Sequence, residues 1–406
     1  MTVLSTNRMP AIAGGEARFP EGLPLARPIL HDLPALERRL ADILASGMLT
    51  NGRTVRELEE RVAERLGVAH AVAVASCTTG LALTLQALDA NGPVVMPSFT
   101  FAASAHAVVW AGGTPVFADI TLDTLCLDPA AASALVEGAS AMTATHLYGT
   151  PCRTESLAAV AESAGIPLVY DAAHALGSAR AGTPVGGFGA AEVFSLSPTK
   201  VVVAGEGGLV TTRHADLAAA IRLGRDYGNP GDYDCRFPGL NARMSELHAA
   251  VALHSLDRLD VNLAQRNGHA ERFWSALAGL PGLRRPKVDD GDLSTFKDLT
   301  IVVDQHEFGL SAAELAAALR VDGIDTRRYY HPPIHLQHAY RMLPARELPI
   351  TEAISQQVLS VPLWSDMTDE QMLEVADAIV RIHAHRARVR TELEKYQPAA
   401  MGPGRR

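Results

Sequence analysis

The spacing of apolar residues predicts helices near the start of the chain. Residues 33–66 repeat apolar side chains at a period of about 3.6, with Leu58, Val62 and Leu66 on one face, which predicts two helices separated by a glycine-bounded break. Residues 1–30 carry no such period and are rich in proline and glycine. We therefore expect the first 30 residues to form an arm over the surface.

From residue 70 onward, short apolar runs alternate with helical segments. The runs that predict buried strands are residues 71–75, 94–96, 115–120, 141–146 and 168–170. Such alternation is typical of a mainly parallel α/β sheet with helices packed against it, and ligands bind such sheets at the carboxyl ends of the strands. The polar residues that fall at those predicted ends are Ser76, Ser98, Tyr148, Asp171 and Lys200.

The pattern changes again after Pro281. Residues 299–303 and 326–330 predict strands, whereas residues 311–319 and 368–383 predict helices. These elements together predict a smaller α+β domain. The expected division is an arm over residues 1–30, a large domain over 31–275, a small C-terminal domain over 276–397 and a disordered tail over 398–406.

Composition narrows the class of protein. The chain has 406 residues, 48% of them hydrophobic and 20% charged, with a net charge of −9, so a nucleic acid partner is not expected. We find no long uncharged apolar stretch and no signal peptide, and therefore expect no membrane partner. The four cysteines form no CxxC pair and the histidines show no metal-ligand spacing. These features predict a cytoplasmic protein without a disulfide framework or a metal site.

A lysine and an aspartate carry the first chemical hypothesis. The apolar run 168–170 ends in Asp171, and Lys200 lies between the apolar residues 194–196 and 201–203 and just before a glycine-rich turn. Pyridoxal phosphate (PLP) needs a lysine amine for its aldehyde and an anion for its ring nitrogen, and these two residues would supply them. The alternatives are that Asp171 caps a helix and that Lys200 is a surface lysine.

The phosphate and the ring of PLP would need further groups. Residues 76–80, Ser-Cys-Thr-Thr-Gly, form a hydroxyl-rich turn between a predicted strand and helix, where free N–H groups bind phosphate. Ser195 could add a hydroxyl, and Phe101 could stack on the ring. The alternatives are a helix cap by Ser76 or Thr78 and a core position for Phe101.

Several segments in one order carry a resemblance to a known family. The chain resembles the DegT-type sugar aminotransferases, fold type I PLP enzymes acting on nucleotide-linked keto sugars, over about residues 25–385. The matching segments are residues 76–80, 97–101, 146–149, 171–177, 195–200, 205–208, 239–244 and 330–335.

This resemblance implies an architecture and a set of roles. It implies a seven-stranded, mainly parallel sheet flanked by helices, a smaller C-terminal domain, and a homodimer with shared active sites. Lys200 would form the Schiff base with PLP, and Asp171 would pair with the pyridinium. The other implied site residues are Phe101 stacked on the ring, His174 near the ring hydroxyl, Cys77, Thr78 and Ser195 at the phosphate, Asn241 with Arg243 nearby at the neighbouring subunit's phosphate, and Tyr148, Tyr330 and His331 at the substrate.

Two positions depart from the family pattern. The family usually has glycine where Cys77 stands, which puts the shape of the phosphate turn in doubt. It often has histidine or an aromatic residue where Ser197 stands, which leaves a smaller wall beside Lys200. Related dehydratases replace the lysine with histidine, so the presence of Lys200 favours transamination.

The resemblance predicts an aminotransferase in deoxyaminosugar biosynthesis. Glutamate or glutamine would donate the amino group, and a nucleotide-linked keto sugar, dTDP-4-keto-6-deoxyhexose, would accept it. The choice of a 4-keto sugar rests on the likeness of residues 326–333 to 4-aminotransferases. A 3-keto sugar, a keto cyclitol of the aminoglycoside type, and a non-catalytic PLP-binding regulator remain as alternatives.

Overall fold

The computed structural model of the chain describes residues 8–344 and 346–395. The predicted tail at 398–406 and the first seven residues of the predicted arm lie outside the described residues. Within the described ranges, no helix is long and apolar enough to cross a membrane. The same ranges contain no group of three or more His, Cys, Asp or Glu side chains that could hold a metal ion.

The elements follow one another in largely alternating order. The strands are β1 (His70–Val74), β2 (Pro93–Pro97), β3 (Thr114–Ala118), β4 (Ala141–Thr145), β5 (Leu168–Asp171), β6 (Ala179–Arg180), β7 (Thr183–Pro184), β8 (Ala191–Ser195), β9 (Gly208–Thr212), β10 (Leu283–Arg284), β11 (Leu299–Val303) and β12 (Val358–Val361). The helices are α1 (Leu33–Ser46), α2 (Arg53–Leu66), α3 (Cys77–Ala87), α4 (Ala102–Trp110), α5 (Pro129–Ser133), α6 (Thr154–Ala164), α7 (Ala215–Gly224), α8 (Glu246–Leu256), α9 (Leu259–Ala276), α10 (Gln305–Phe308), α11 (Ala312–Val321), α12 (Pro349–Gln357), α13 (Asp369–Ala384) and α14 (Arg386–Lys395).

A seven-stranded sheet forms the centre of the fold, in the order β1-β9-β8-β5-β4-β2-β3. Strands β8, β5, β4, β2 and β3 run parallel, and β9 runs antiparallel to both of its neighbours, β1 and β8. The alternation of β1 places Val72 and Val74 in the core beneath α3, α4 and α7, and Ala71 and Ala73 in the core beneath α2 and α8. The predicted mainly parallel α/β class is confirmed.

A second, smaller sheet lies in the C-terminal part of the chain. Strands β10, β11 and β12 are antiparallel and share a core with α11 and α13. Phe273 of α9 also belongs to this core. Because α9 ends at Ala276, the predicted boundary at 275/276 falls within the last turn of this helix. In the arm, Leu23 is buried and bridges to Ile324, which ties the arm to this part of the molecule. The division into domains stays a prediction.

The strand predicted at residues 326–330 is wrong. Arg327 alone makes a bridge, to Ser360 of β12, and the chain then turns at Tyr329 and Tyr330. The ring of Tyr330 packs against neighbouring aromatic rings, and the two prolines that follow have no N–H to donate to a strand partner. This turn carries Tyr330 to the carboxyl end of the large sheet.

Candidate active site

A cavity of about 220 Å³ opens at the carboxyl ends of the central strands. Ends of β4, β5 and β8 meet there with the beginnings of α3 and α4. It is lined by Ser76, Cys77, Thr78, Thr100, Phe101, Ala103, Thr145, Asp171, Ala173, His174, Ser195, Ser197, Lys200, Glu206, Gly207 and Tyr330. The structure therefore gathers eight of the residues predicted from the sequence: Cys77, Thr78, Phe101, Asp171, His174, Ser195, Lys200 and Tyr330.

Asp171 is buried at the end of β5, and both carboxylate oxygens have partners. Ser104 Oγ donates to Oδ2 at 2.6 Å, and the backbone N–H of Ala173 donates to Oδ1 at 3.0 Å. Residues 173–177 form turns, so the alternative that Asp171 caps a following helix is wrong. The partners fix the carboxylate in one orientation beside the cavity.

Lys200 lies in the loop between β8 and β9, where its backbone N–H donates to the carbonyl of Ser197 at 3.0 Å. Desolvation, followed by the nearby charge of Lys297, lowers the pKa of Lys200 to about 8. The opposing charges of Asp298 and Asp171 raise the pKa less. An amine with this pKa is partly neutral near neutral pH, as a nucleophile or a base requires.

The turn before α3 brings free N–H groups to the cavity. Ser76 caps the helix by accepting a hydrogen bond from the N–H of Thr79 at 3.1 Å, so the capping alternative is correct and leaves other N–H groups at the helix start free for a ligand. A Cβ atom at Gly208 would lie 2.6 Å from the backbone of Ser76 and Cys77. Glycine there lets β9 approach this turn closely.

The thiol of Cys77 lies between the backbone of β8 and the carboxylate of Asp171. It donates to the carbonyl of Val193 at 3.4 Å and lies 3.9 Å from Asp171 Oδ1. Burial, then the charge of Asp171, raises the pKa of the thiol well above its usual value, so it stays neutral. What Cys77 offers an anion is therefore its backbone N–H rather than its side chain.

His174 and Phe101 complete the wall. His174 is buried, and its Nδ1 has no hydrogen-bond partner among the described residues. Burial, followed by the charges of Lys200 and Lys297, lowers the pKa of His174 well below its usual value. Phe101 is 58% exposed, which makes the alternative of a core position wrong. An amine, a carboxylate, a helix start, an aromatic face and an orphaned imidazole nitrogen in one cavity fit PLP.

Four predicted residues do not line this cavity. Tyr148 is buried beside it, and its hydroxyl donates to the carbonyl of Tyr329, whereas His331 is exposed. Arg243 pairs with Asp226 at 2.6 Å and donates to Asn241 Oδ1 at 3.3 Å. Asn241 and Arg243 thus lie together outside the cavity of their own chain.

Residues that the sequence did not reveal line the cavity or lie against the residues that line it. Ser104 is the hydrogen-bond donor to Asp171, and Thr100 Oγ1 joins Ser104 and Thr145 at 3.2 and 3.0 Å. Thr100 lies two residues before α4 and Ser104 is the third residue of the helix, so the two hydroxyls meet where the chain enters α4. This spacing after a strand end was the available signal. Lys297 and Asp298, whose charges act on Lys200, gave no such signal.

Known proteins are similar to this chain in architecture and in sequence. The crystal structure of DesI, determined in the presence of its TDP-sugar product, is similar over 95% of this chain and 99% of its own, with 40% identity and a TM-score of 0.90. S. venezuelae DesV, solved in complex with a ketimine intermediate, has 32% identity and a TM-score of 0.81, covering 89% of this chain and 99% of DesV. The spore coat polysaccharide biosynthesis protein SpsC of Bacillus subtilis (strain 168) is 31% identical over 375 residues, 88% of this chain and 96% of SpsC.

The family follows from these likenesses together with the cavity. The sequence model of the DegT/DnrJ/EryC1/StrS aminotransferase family matches residues 34–380, which include every residue that lines the cavity. The chain therefore belongs to the DegT/DnrJ/EryC1/StrS aminotransferase family and is a PLP-dependent sugar aminotransferase.

Proposed function

We propose that this aminotransferase moves an amino group from glutamate or glutamine to a nucleotide-linked keto sugar, dTDP-4-keto-6-deoxyhexose. The observation that carries the chemistry is the meeting of Lys200 and Asp171 in one cavity. The likeness to DesI, which was crystallised with a TDP-sugar product, supports the nucleotide-sugar class. The reaction belongs to deoxyaminosugar biosynthesis, and the four free thiols suit the reducing cytoplasm where we place it.

Asp171 and Phe101 would hold the ring of the cofactor. When bound, PLP supplies an aldehyde that takes up an amino group and a protonated ring that accepts electrons from the substrate carbon. Asp171, with its orientation fixed by Ser104, would face the ring nitrogen. Phe101 would cover one face of the ring, and the orphaned Nδ1 of His174 suits a role near the ring hydroxyl.

Lys200 would act twice at the same atom. Its Nζ would carry the cofactor at rest, and after displacement by the amino donor it would hold and move the proton of the substrate carbon. A pKa of about 8 suits this second task, because the amine must first be neutral to accept the proton. No other described lysine lines the cavity.

The start of α3 would hold the cofactor's phosphate. The backbone N–H groups of Cys77 and Thr78 and the hydroxyls of Thr78 and Ser195 would contact its oxygens. Asn241 and Arg243, which lie outside their own cavity, would contact the phosphate of the partner in a homodimer. Tyr330 lines the cavity and would contact the sugar, as would its exposed neighbour His331 and Tyr148, whose hydroxyl is bonded to the turn at Tyr329.

A substrate panel tests the proposal. Purified enzyme is incubated with glutamate or glutamine and with dTDP-linked 4-keto sugars, dTDP-linked 3-keto sugars and keto cyclitols, and the amino product is identified by mass and NMR. Amination of the 4-keto sugar is the expected result. Amination of cyclitols or 3-keto sugars alone would contradict the proposed 4-keto sugar substrate. A protein that binds PLP and aminates none of them would favour the non-catalytic regulator.

A further inference from the structure

A second pair of ionised side chains lies against the active site. Lys297 Nζ and Asp298 Oδ1 are 2.8 Å apart, and both side chains are about 5% exposed or less. The ammonium also lies 5.4 Å from the centre of the Tyr329 ring. The chain has four lysines, Lys200, Lys287, Lys297 and Lys395, and two of them thus lie in or against one site.

The backbone around this pair is bound to the cavity wall. Thr295 Oγ1 donates to the carbonyl of His174 at 2.6 Å, and the N–H of Lys297 donates to the carbonyl of Tyr148 at 2.9 Å. Gly149 makes the approach possible, because a Cβ atom there would lie 1.9 Å from Thr295 Oγ1. The segment is thereby fixed against two loops at the ends of the central strands.

Arg266 fixes the segment from its other side. The guanidinium donates to the carbonyls of Thr295, Phe296 and Lys297 at 2.9 to 3.2 Å. Since these bonds occupy the guanidinium with backbone oxygens, Arg266 holds the segment in place. The Lys297 ammonium therefore has a defined position rather than a mobile one.

The charge of Lys297 acts on the residues of the cavity. It lowers the pKa of both Lys200 and His174, and the opposite charge of Asp298 raises the pKa of Lys200 to a smaller extent. The other charged or titratable groups that face Lys200 are Asp171, Cys77, His174, Glu206 and Tyr330.

Asp298 is only half satisfied by Lys297. Its Oδ1 holds the ammonium, and its Oδ2 is buried without a hydrogen-bond partner among the described residues. The ion pair holds the ammonium in place, since an unpaired buried charge is costly. The pair is thus a fixed dipole beside Lys200. Its positive end, Lys297, changes the pKa of Lys200 more than its negative end, Asp298, does.

We propose that Lys297, held by Asp298, is a positioning residue that acts through Lys200 and keeps the Lys200 nitrogen free of an extra proton during the reaction. The inference rests on the proposed role of Lys200 as cofactor carrier and base. A like charge fixed nearby in a poorly solvated site disfavours a second positive charge. Removing the charge of Lys297 must therefore raise the pH at which the Lys200 nitrogen loses its proton.

Titration of the holoenzyme tests this inference. The visible absorption of the cofactor joined to Lys200 depends on whether the Lys200 nitrogen is protonated, so its pH midpoint is measured in wild type and variants. Lys297→Met should raise the midpoint by about half a unit to one unit. Lys297→Arg keeps the charge and should leave the midpoint within about 0.3 unit of wild type.

Two further measurements separate the possible outcomes. Lys297→Met leaves a buried carboxylate without its cation, so the double variant Lys297→Met with Asp298→Asn is made in case the single variant does not fold. Its midpoint should lie between those of wild type and Lys297→Met, because both charges are removed. Acylation of Lys200 across pH in cofactor-free protein, with exposed Lys395 as the internal reference, reports the protonation of the free amine, whose midpoint should shift in the same direction.

The results distinguish this inference from the function it rests on. Midpoints of Lys297→Met and of the double variant that fall, or that stay at the wild-type value, would overturn the role of Lys297 and leave the proposed function standing. A holoenzyme without any lysine-bound absorption would count against the proposed function instead. Acylation would then still show whether Lys297 acts on Lys200.

Discussion

Two buried aspartates lie near Lys200, and they belong to different sheets. Asp171 ends β5 of the large sheet, and both of its oxygens accept hydrogen bonds. Asp298 precedes β11 of the small sheet, pairs with Lys297 through one oxygen and leaves the other without a partner among the described residues. The first is built to face a ligand in one orientation, whereas the second balances a neighbouring cation. Burial alone does not make a carboxylate part of the chemistry.

Replacing each aspartate with asparagine should give the largest difference in kcat between these two roles. Asp171→Asn removes the charge that would stabilise the protonated ring, so we expect kcat to fall by about 10²- to 10³-fold. Asp298→Asn acts only through Lys200, so kcat at its optimal pH should stay within about tenfold of wild type. Steady-state rates with glutamate and a keto sugar measure both. Comparable losses of kcat in the two variants would contradict the different roles of the two aspartates.

The backbone carbonyls of residues 295–297, just before Asp298, are bound by one side chain, that of Arg266, in contrast to the strand ladder that holds Asp171. Arg266→Met would leave several buried carbonyls unpaired, so the free energy of unfolding should fall by about 2–4 kcal/mol. Arg272→Met, which removes an exposed ion pair with Asp369, is the control and should cost less than about 1 kcal/mol. Denaturant unfolding gives both values, and equal losses would contradict the account.

The pH dependence of turnover sharpens the claim about Lys200. Its pKa is lowered to about 8, chiefly by desolvation and then by Lys297. The amine accepts the substrate proton only in its neutral form, so kcat should rise about tenfold per pH unit below that value and level off above it. A rate that falls as pH rises through this range would mean that the protonated amine is the active form.

The smallest expected effect concerns Phe101, the most exposed aromatic ring of the cavity wall. Phe101→Leu removes ring stacking and should weaken cofactor binding by about 3- to 10-fold, whereas Phe101→Tyr should keep it. Equilibrium binding of PLP to cofactor-free protein measures the change. Equal affinities in the leucine variant and wild type would place the cofactor away from this ring.

The strand-end rule explains what could be predicted from the sequence. Asp171 and Lys200 follow apolar runs of the large sheet, and parallel strands end at one edge, so their meeting was predictable from local pattern. Ser104 was missed because it lies one turn into α4, where a serine has many ordinary uses.

Lys297 and Asp298 could not be found by that rule. They lie at the beginning of β11, a strand of the other sheet, and reach the site through contacts distant in sequence such as that of Thr295 with His174. The turn at Tyr329 and Tyr330 was predicted as a strand because it, too, depends on contacts that are distant in sequence. Its β-favouring residues are held by aromatic contacts to the large sheet and not by a strand partner.

The most direct test identifies the lysine that carries the cofactor. The holoenzyme is reduced with borohydride, digested, and its four lysines, Lys200, Lys287, Lys297 and Lys395, are read by peptide mass. The account predicts a pyridoxyl group on Lys200 alone, and less of it after glutamate or glutamine has been added, because the donor displaces the lysine. A label on Lys297, or a label on Lys200 that neither donor changes, would contradict the account.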